Sequence, residues 1–236
     1  MGIEMPTMNT TANKSEDKLV QISAGQATLE GNLIIPKSSR GIVLFAHGSG
    51  SGRHSLRNKY VAEVLQDAGI ATLLIDLLTE EEEEVDLQTR HLRFDIGLLA
   101  QRLIEATDWL KQEQNFQTKD LSIGYFGAST GAAAALVAAA QRQKIVKAIV
   151  SRGGRPDLAS SESLSRVQAP TLLIIGGNDE PVIEMNKDAF KQLTNLEDTQ
   201  KKKIVIVPGA THLFEEPGKL EEVAHLAKDW FESNFQ

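Results

Sequence analysis

Ile123-Gly-Tyr-Phe-Gly127-Ala-Ser129-Thr-Gly131-Ala-Ala-Ala-Ala135 is the stretch on which the reading of this chain turns. Its first part closes an apolar run, Leu121–Phe126, that reads as a strand. Its last part opens Gly131–Gln143, a helix made almost wholly of alanine. Between them, Gly127-Ala-Ser-Thr-Gly131 has the spacing G-x-S-x-G. A serine set on a sharp, strained turn from strand to helix crowds the positions two before and two after it, and glycine relieves that crowding. Small residues after the turn allow close approach to neighbouring strands. The positive end of the helix then lies beside the Ser129 hydroxyl, where negative charge would develop on attack. Ser129 is therefore the expected nucleophile. The competing reading is a serine that merely caps a buried alanine helix.

Outward from this turn, apolar runs and helical patterns alternate. Leu19–Ser23 and Ala27–Pro36 read as an antiparallel hairpin around Ala24-Gly25-Gln26. Gly41–Ala46 reads as a central strand covered on both faces. Further strands are expected at Ile70–Asp76, Val146–Ser151, Thr171–Ile175 and Lys203–Val207. Helices are expected at Ser55–Gly69, Arg93–Gln112 and Lys219–Phe235. The glutamates Glu80–Glu84 read as a solvated loop or helix start. A hairpin followed by β-α-β repeats implies an α/β fold with about eight strands, mostly parallel, and helices on both faces. Residues 19–236 form the expected single domain, and residues 1–18, mostly polar, the expected disordered N-terminal segment.

In such a sheet, ligands bind beyond the carboxyl ends of the strands, so the residues just after each strand matter most. A serine hydroxyl needs a base, and the base needs an orienting acid. Two strand ends supply them in the chain order Ser, acid, His. Asp179 follows Thr171–Ile175 in Gly176-Gly-Asn-Asp179, and His212 follows Lys203–Val207 in Pro208-Gly-Ala-Thr-His212. Asp157, which follows the preceding strand, and Glu180, adjacent to Asp179, are the rival acids. His54, His91 and His225 lie in polar settings and read as solvated. No metal site is expected, because no zinc-ligand spacing such as H-E-x-x-H occurs.

The loop His47-Gly-Ser-Gly-Ser-Gly-Arg53-His54 first suggests a dinucleotide fingerprint, since Asp76 ends a strand about twenty residues on. The spacing argues otherwise. Gly48, Gly50 and Gly52 run G-x-G-x-G, Arg53 stands where a third glycine belongs, and the helix starts only near Ser55. The loop is better read as backbone that brings an amide N–H opposite Ser129. The expected oxyanion donors are the N–H groups of Ser49 and of Thr130.

The 236 residues carry a net charge of −7, with 41% hydrophobic and 24% charged residues. This acidic, ordinary balance gives no basic stripe for nucleic acid, and no apolar run is long enough to span a membrane. With no cysteine, disulfides, thiolate metal sites and a cysteine nucleophile are excluded. The polar start lacks the apolar core of a signal peptide, and a cytoplasmic location is the resulting expectation.

The motifs His47–His54, Gly124–Gly131, Ser151-Arg-Gly-Gly-Arg-Pro-Asp157 and Pro208–Glu216 together give a resemblance. The chain resembles the α/β-hydrolase superfamily from about Leu19 to Phe235. Within it, it is similar to a bacterial branch of the dienelactone-hydrolase-like group. Some members of that branch occur fused to a phosphoribosyltransferase domain, for which this length leaves no room. The resemblance implies an α/β-hydrolase fold and a small-molecule ester or lactone substrate, with no metal or organic cofactor. Dienelactone hydrolases proper use a cysteine nucleophile where this chain has Ser129, so a serine esterase is the expected activity. The connection Arg152–Pro170 is short, so no large lid is expected and small soluble acyl substrates are favoured. Arg53 and Arg152, with Arg57 and Arg155 nearby, are candidates for attracting a carboxylate-bearing substrate, against the alternative that they pair with surface acids. Two other functions use the same residues or fold. An acyltransferase would pass the acyl group to an alcohol or amine, and a binding protein would keep the fold without turnover. The sequence leaves the oligomeric state open.

Overall fold

The computed structural model describes residues 17–112, 117–196 and 201–235. Eight strands form one sheet in the order β1-β2-β4-β3-β5-β6-β7-β8. The strands are β1 (Asp17–Ala24), β2 (Ala27–Ile34), β3 (Gly41–Ala46), β4 (Ala71–Ile75), β5 (Ser122–Ala128), β6 (Val146–Arg152), β7 (Thr171–Gly176) and β8 (Lys202–Val207). β1 and β2 pair antiparallel, β2 runs antiparallel to β4, and every later pairing is parallel. This is the mostly parallel sheet that the alternation of patterns implies, in the α/β-hydrolase arrangement that the resemblance implies.

The helices are α1 (Leu56–Asp67), α2 (Glu80–Thr89), α3 (Ile96–Leu110), α4 (Thr130–Gln141), α5 (Ser161–Arg166), α6 (Glu180–Gln192) and α7 (Lys219–Asn234). Alternate strand residues face opposite layers, as the pleat requires. Ile42, Leu44, Tyr125 and Ile149 pack with α3 and α4. Val43, Phe45, Phe126 and Val150 pack with α1 and α7. Ten of the twelve residues of α4 are buried and most are alanine, which lets that helix sit close to the sheet beneath the site.

Two local features depart from the expectation. The amphipathic stretch expected at Arg93–Gln112 is two pieces, a 3₁₀ turn at Leu92–Phe94 and then α3. Asp95 divides them, because its carboxylate accepts from the Leu98 N–H at 3.0 Å and so caps a new helix start. The glutamate run takes the helix-start reading: it begins α2, closed by a capping box in which Thr79 and Glu82 satisfy each other's backbone N–H. Helices α5 and α6 also lie in segments read only as connections. The segment expected to be disordered lies outside the described residues except for Asp17 and Lys18, which are in β1. Among the described residues, no helix is long and apolar enough to cross a membrane.

Candidate active site

Ser129 lies between β5 and α4 with φ 51° and ψ −119°, a left-handed backbone that a residue with a Cβ adopts only under constraint. The constraint is visible on both sides. A Cβ at Gly127 would collide with the Ala132 backbone, and one at Gly131 with the Ala46 carbonyl oxygen. The Ser129 backbone is also pinned to the end of β6. Its N–H donates to the Arg152 carbonyl at 3.2 Å, and its carbonyl accepts from the Arg155 N–H at 3.0 Å. The Ser129 side chain makes no capping bond to α4.

His212 and Asp179 meet across the ends of β8 and β7. The distance from His212 Nδ1 to Asp179 Oδ2 is 2.6 Å. A carboxylate only accepts, so Nδ1 carries the proton and Nε2 is left with its lone pair free. Asp179 occupies the N-cap position of α6, yet its side chain makes no capping bond and is committed to the histidine. The rival Asp157 is held by a fork of two bonds from Arg155, at 2.8 and 2.7 Å. The segment that pins Ser129 also touches His212: a Cβ on Gly153 would lie 3.4 Å from the imidazole Cε1.

The loop after β3 crosses to the same place. A Cβ on Gly48 would lie 3.0 Å from Ser129 Cβ, and the hydroxyls of Ser49 and Thr130 are 3.1 Å apart. Thr130 is the first residue of α4, so its N–H has no acceptor within the helix. Gly48, Ser49 and Thr130 line one wall of a cleft of about 700 Å³. Six carboxylates, Glu30, Asp76, Glu80, Glu81, Glu83 and Asp86, line the same cleft against the guanidinium groups of Arg53 and Arg93.

Two further residues organise this loop; sequence reading gave His47 no role and Asp76 only that of a strand-end residue, either incidental or lining the site. His47 is buried, and its Nε2 accepts the Leu77 N–H at 3.0 Å while Nδ1 donates to the Gly48 carbonyl at 3.0 Å. Burial pushes its pKa below the ordinary histidine value, although the Gly48 bond and the Asp76 charge oppose the shift. Asp76 accepts the Arg53 N–H at 2.6 Å on Oδ1 and the Arg53 guanidinium on Oδ2. The available signal was positional: a histidine just before the glycines and an acid just after β4.

The arginines divide. Arg53 is bound to Asp76 and, at 2.5 Å, to Glu30, so its charge is neutralised within the protein. Arg57 pairs with Glu215 at 2.9 Å. Arg152 is only 5% exposed, donates to the Asn58 amide oxygen at 3.4 Å and has no carboxylate partner among the described residues. Burial, and then the nearby Arg57 charge, push its pKa down to about 10. His54, His91 and His225 are all exposed. Among the described residues no cluster of three or more His, Cys, Asp or Glu side chains is arranged to hold a metal ion.

Relatives of known structure and sequence share this framework. The crystal structure of dienelactone hydrolase from Anabaena variabilis superimposes with a TM-score of 0.89 at 61% identity, covering 94% of this chain and 99% of that one. Est1E from Butyrivibrio proteoclasticus shares the fold with a TM-score of 0.74 at 19% identity, over 92% of this chain and 98% of that one. Two curated Mycobacterium tuberculosis proteins named as candidate phosphoribosyl transferases are 58% identical over 215 residues, which is 91% of this chain and 46% of theirs. The chain thus spans about half the length of these curated relatives. The model of the Dienelactone hydrolase family matches residues 29–236, from the second strand of the hairpin through the elbow, Asp179 and His212. The chain belongs to the dienelactone hydrolase family.

Proposed function

We propose that the protein is a serine hydrolase that cleaves small carboxylic esters or lactones through an acyl-enzyme on Ser129. His212 Nε2 takes the hydroxyl proton as Ser129 Oγ attacks the carbonyl carbon, and returns it to the departing alkoxide. Water then attacks the acyl-enzyme by the same route, releasing the acid and restoring the serine. Asp179 fixes the tautomer and stabilises the imidazolium. The Ser49 and Thr130 N–H groups receive the oxyanion, each donor of this kind contributing about 100- to 1000-fold to kcat.

The observation that carries this reading is the 2.6 Å bond between Asp179 and His212. It spends a carboxylate that could have capped α6 on orienting the imidazole, with Nδ1 as the donor to Asp179. The phosphoribosyl transferase name of the longer relatives is not carried over, because the matched residues make up 46% of those proteins and the hydrolase model covers residues 29–236 here. The cleft beside Ser49 has more carboxylates than cations, which disfavours an anionic group on that side and supports neutral acyl substrates. The buried charge of Arg152 is the group that would receive a substrate carboxylate, on the α1 side of the sheet.

Hydrolysis of p-nitrophenyl acetate and labelling by a fluorophosphonate test the reading. Turnover and labelling in the native protein, both lost in Ser129→Ala, are the expected result. Activity retained in Ser129→Ala overturns it. Transfer of the acyl group to an added amine in preference to water would reassign the protein as an acyltransferase.

A further inference from the structure

We infer that the carboxyl end of β4 acts as a bracket that presets the loop Gly48–Arg53 for catalysis, with Asp76 as its positioning residue. This inference rests on the hydrolase reading above and adds a role for residues outside the triad. The physical problem is plain. A loop with glycine at every second position has costly freedom to lose, yet an oxyanion donor works only if it is already in place. The loop's own bonds are few: Ser51 N–H to the Gly48 carbonyl at 3.2 Å, and Ser55 N–H to the Gly52 carbonyl at 3.0 Å.

Two consecutive residues, Asp76 and Leu77, hold both ends of the loop. At the loop's start, the Leu77 N–H holds His47 Nε2, and His47 Nδ1 in turn holds the Gly48 carbonyl. At its end, both Asp76 carboxylate oxygens hold Arg53, one through the backbone N–H and one through the guanidinium. A Cβ on Gly52 would lie 2.6 Å from Asp76 Oδ1, so the glycine is what lets the carboxylate close over the loop. The bracket is itself braced by β2: the Asp76 N–H donates to the Glu30 carbonyl at 3.0 Å, and the Glu30 side chain takes the other face of Arg53 at 2.5 Å. With both ends held, the Ser49 hydroxyl meets Thr130 beside the nucleophile at 3.1 Å. The Asp76 carboxylate is fully engaged by Arg53, so it acts through the loop rather than as an acid or base.

The test uses Asp76→Asn, Asp76→Ala and His47→Gln in the full chain, with three readouts: steady-state hydrolysis of p-nitrophenyl acetate, thermal midpoint, and hydrogen exchange of the segment 47–55 by mass spectrometry. Asn keeps an acceptor for the Arg53 N–H and Ala keeps none, so the effects should grade. Asp76→Ala is expected to lower kcat about 10- to 100-fold with KM changed by less than about twofold. Exchange in 47–55 should rise in all three variants while exchange in β5 and α4 stays as in the native protein. Asp76→Asn should fall between Asp76→Ala and native in both readouts. Tyr125→Phe, a core change remote from the loop, controls for general destabilisation and should leave kcat and loop exchange unchanged. Native-like exchange of 47–55 in Asp76→Ala overturns the bracket whatever the activity. Faster exchange with undiminished kcat overturns its catalytic role. A native protein without turnover overturns the hydrolase reading instead, and the exchange arm still judges the bracket.

Discussion

Asp179 Oδ2 lies 2.6 Å from His212 Nδ1, and this contact fixes which imidazole nitrogen keeps its lone pair. Replacing Asp179 with Asn keeps the size of the side chain but lets its amide donate, which favours the wrong tautomer. Asp179→Asn should lower kcat for p-nitrophenyl acetate by about 10³- to 10⁴-fold, with the thermal midpoint close to native. Steady-state kinetics beside a melting curve checks this, and a loss below tenfold would remove Asp179 from its role.

Ser129 stores backbone strain at φ 51°. Strain of this kind costs roughly 1–3 kcal/mol, and glycine is free of it. Ser129→Gly and Ser129→Ala should both be inactive, yet Ser129→Gly should melt about 2–4 °C above Ser129→Ala. The ordinary cost of glycine, about 0.5–1 kcal/mol, works against this difference, so a Ser129→Gly midpoint below that of Ser129→Ala would show that the turn stores less strain than that.

His47 must stay neutral to accept the Leu77 N–H, and its pKa is lowered in the folded state. Between the lowered value and the unfolded value near 6.5, the unfolded chain binds the extra proton. The stability that the neutral ring contributes is therefore complete above about pH 6.5 and lost as pH falls through the window below it. Urea unfolding between pH 7.5 and 5 should show this loss in the native protein, and His47→Gln should flatten it. Parallel curves for the two proteins would contradict the assignment.

Arg152 keeps a buried charge with no carboxylate beside it among the described residues. If it receives a substrate carboxylate, Arg152→Met should lower kcat/KM about 10- to 100-fold more for a carboxylate-bearing ester than for a neutral one of equal size. Equal losses on both substrates would instead make it a structural cation. Arg53→Met should show no such difference, because Asp76 and Glu30 already hold its charge.

Much of this arrangement is legible in the sequence because it is written locally. The bounds of β3 follow from six consecutive buried residues, and the elbow from glycines that the turn itself demands. The order of Ser129, Asp179 and His212 follows from which residues come after strands. Local pattern fails where one polar side chain changes the outcome. Asp95 splits an apolar stripe that reads as a single helix. Helix α5 is only six residues long and rich in serine, so its periodicity is too short to register. Pairing across distant segments is illegible for a different reason. The charge of Arg53 is apparent in the sequence, but the 23-residue step to Asp76 that neutralises it is a product of the fold.

The anchoring of the glycine loop on β4 has a consequence for how the site tolerates substitution. The groups that fix the loop lie between Glu30 and Leu77, whereas Ser129, the proposed nucleophile, sits on the turn after β5. The two units meet through the Ser49 and Thr130 hydroxyls and the close approach of Gly48 to Ser129. On the proposed reading, the turn that carries residue 129 and the bracket that holds the glycine loop are therefore separate units, and a substitution in one leaves the bonds that hold the other intact.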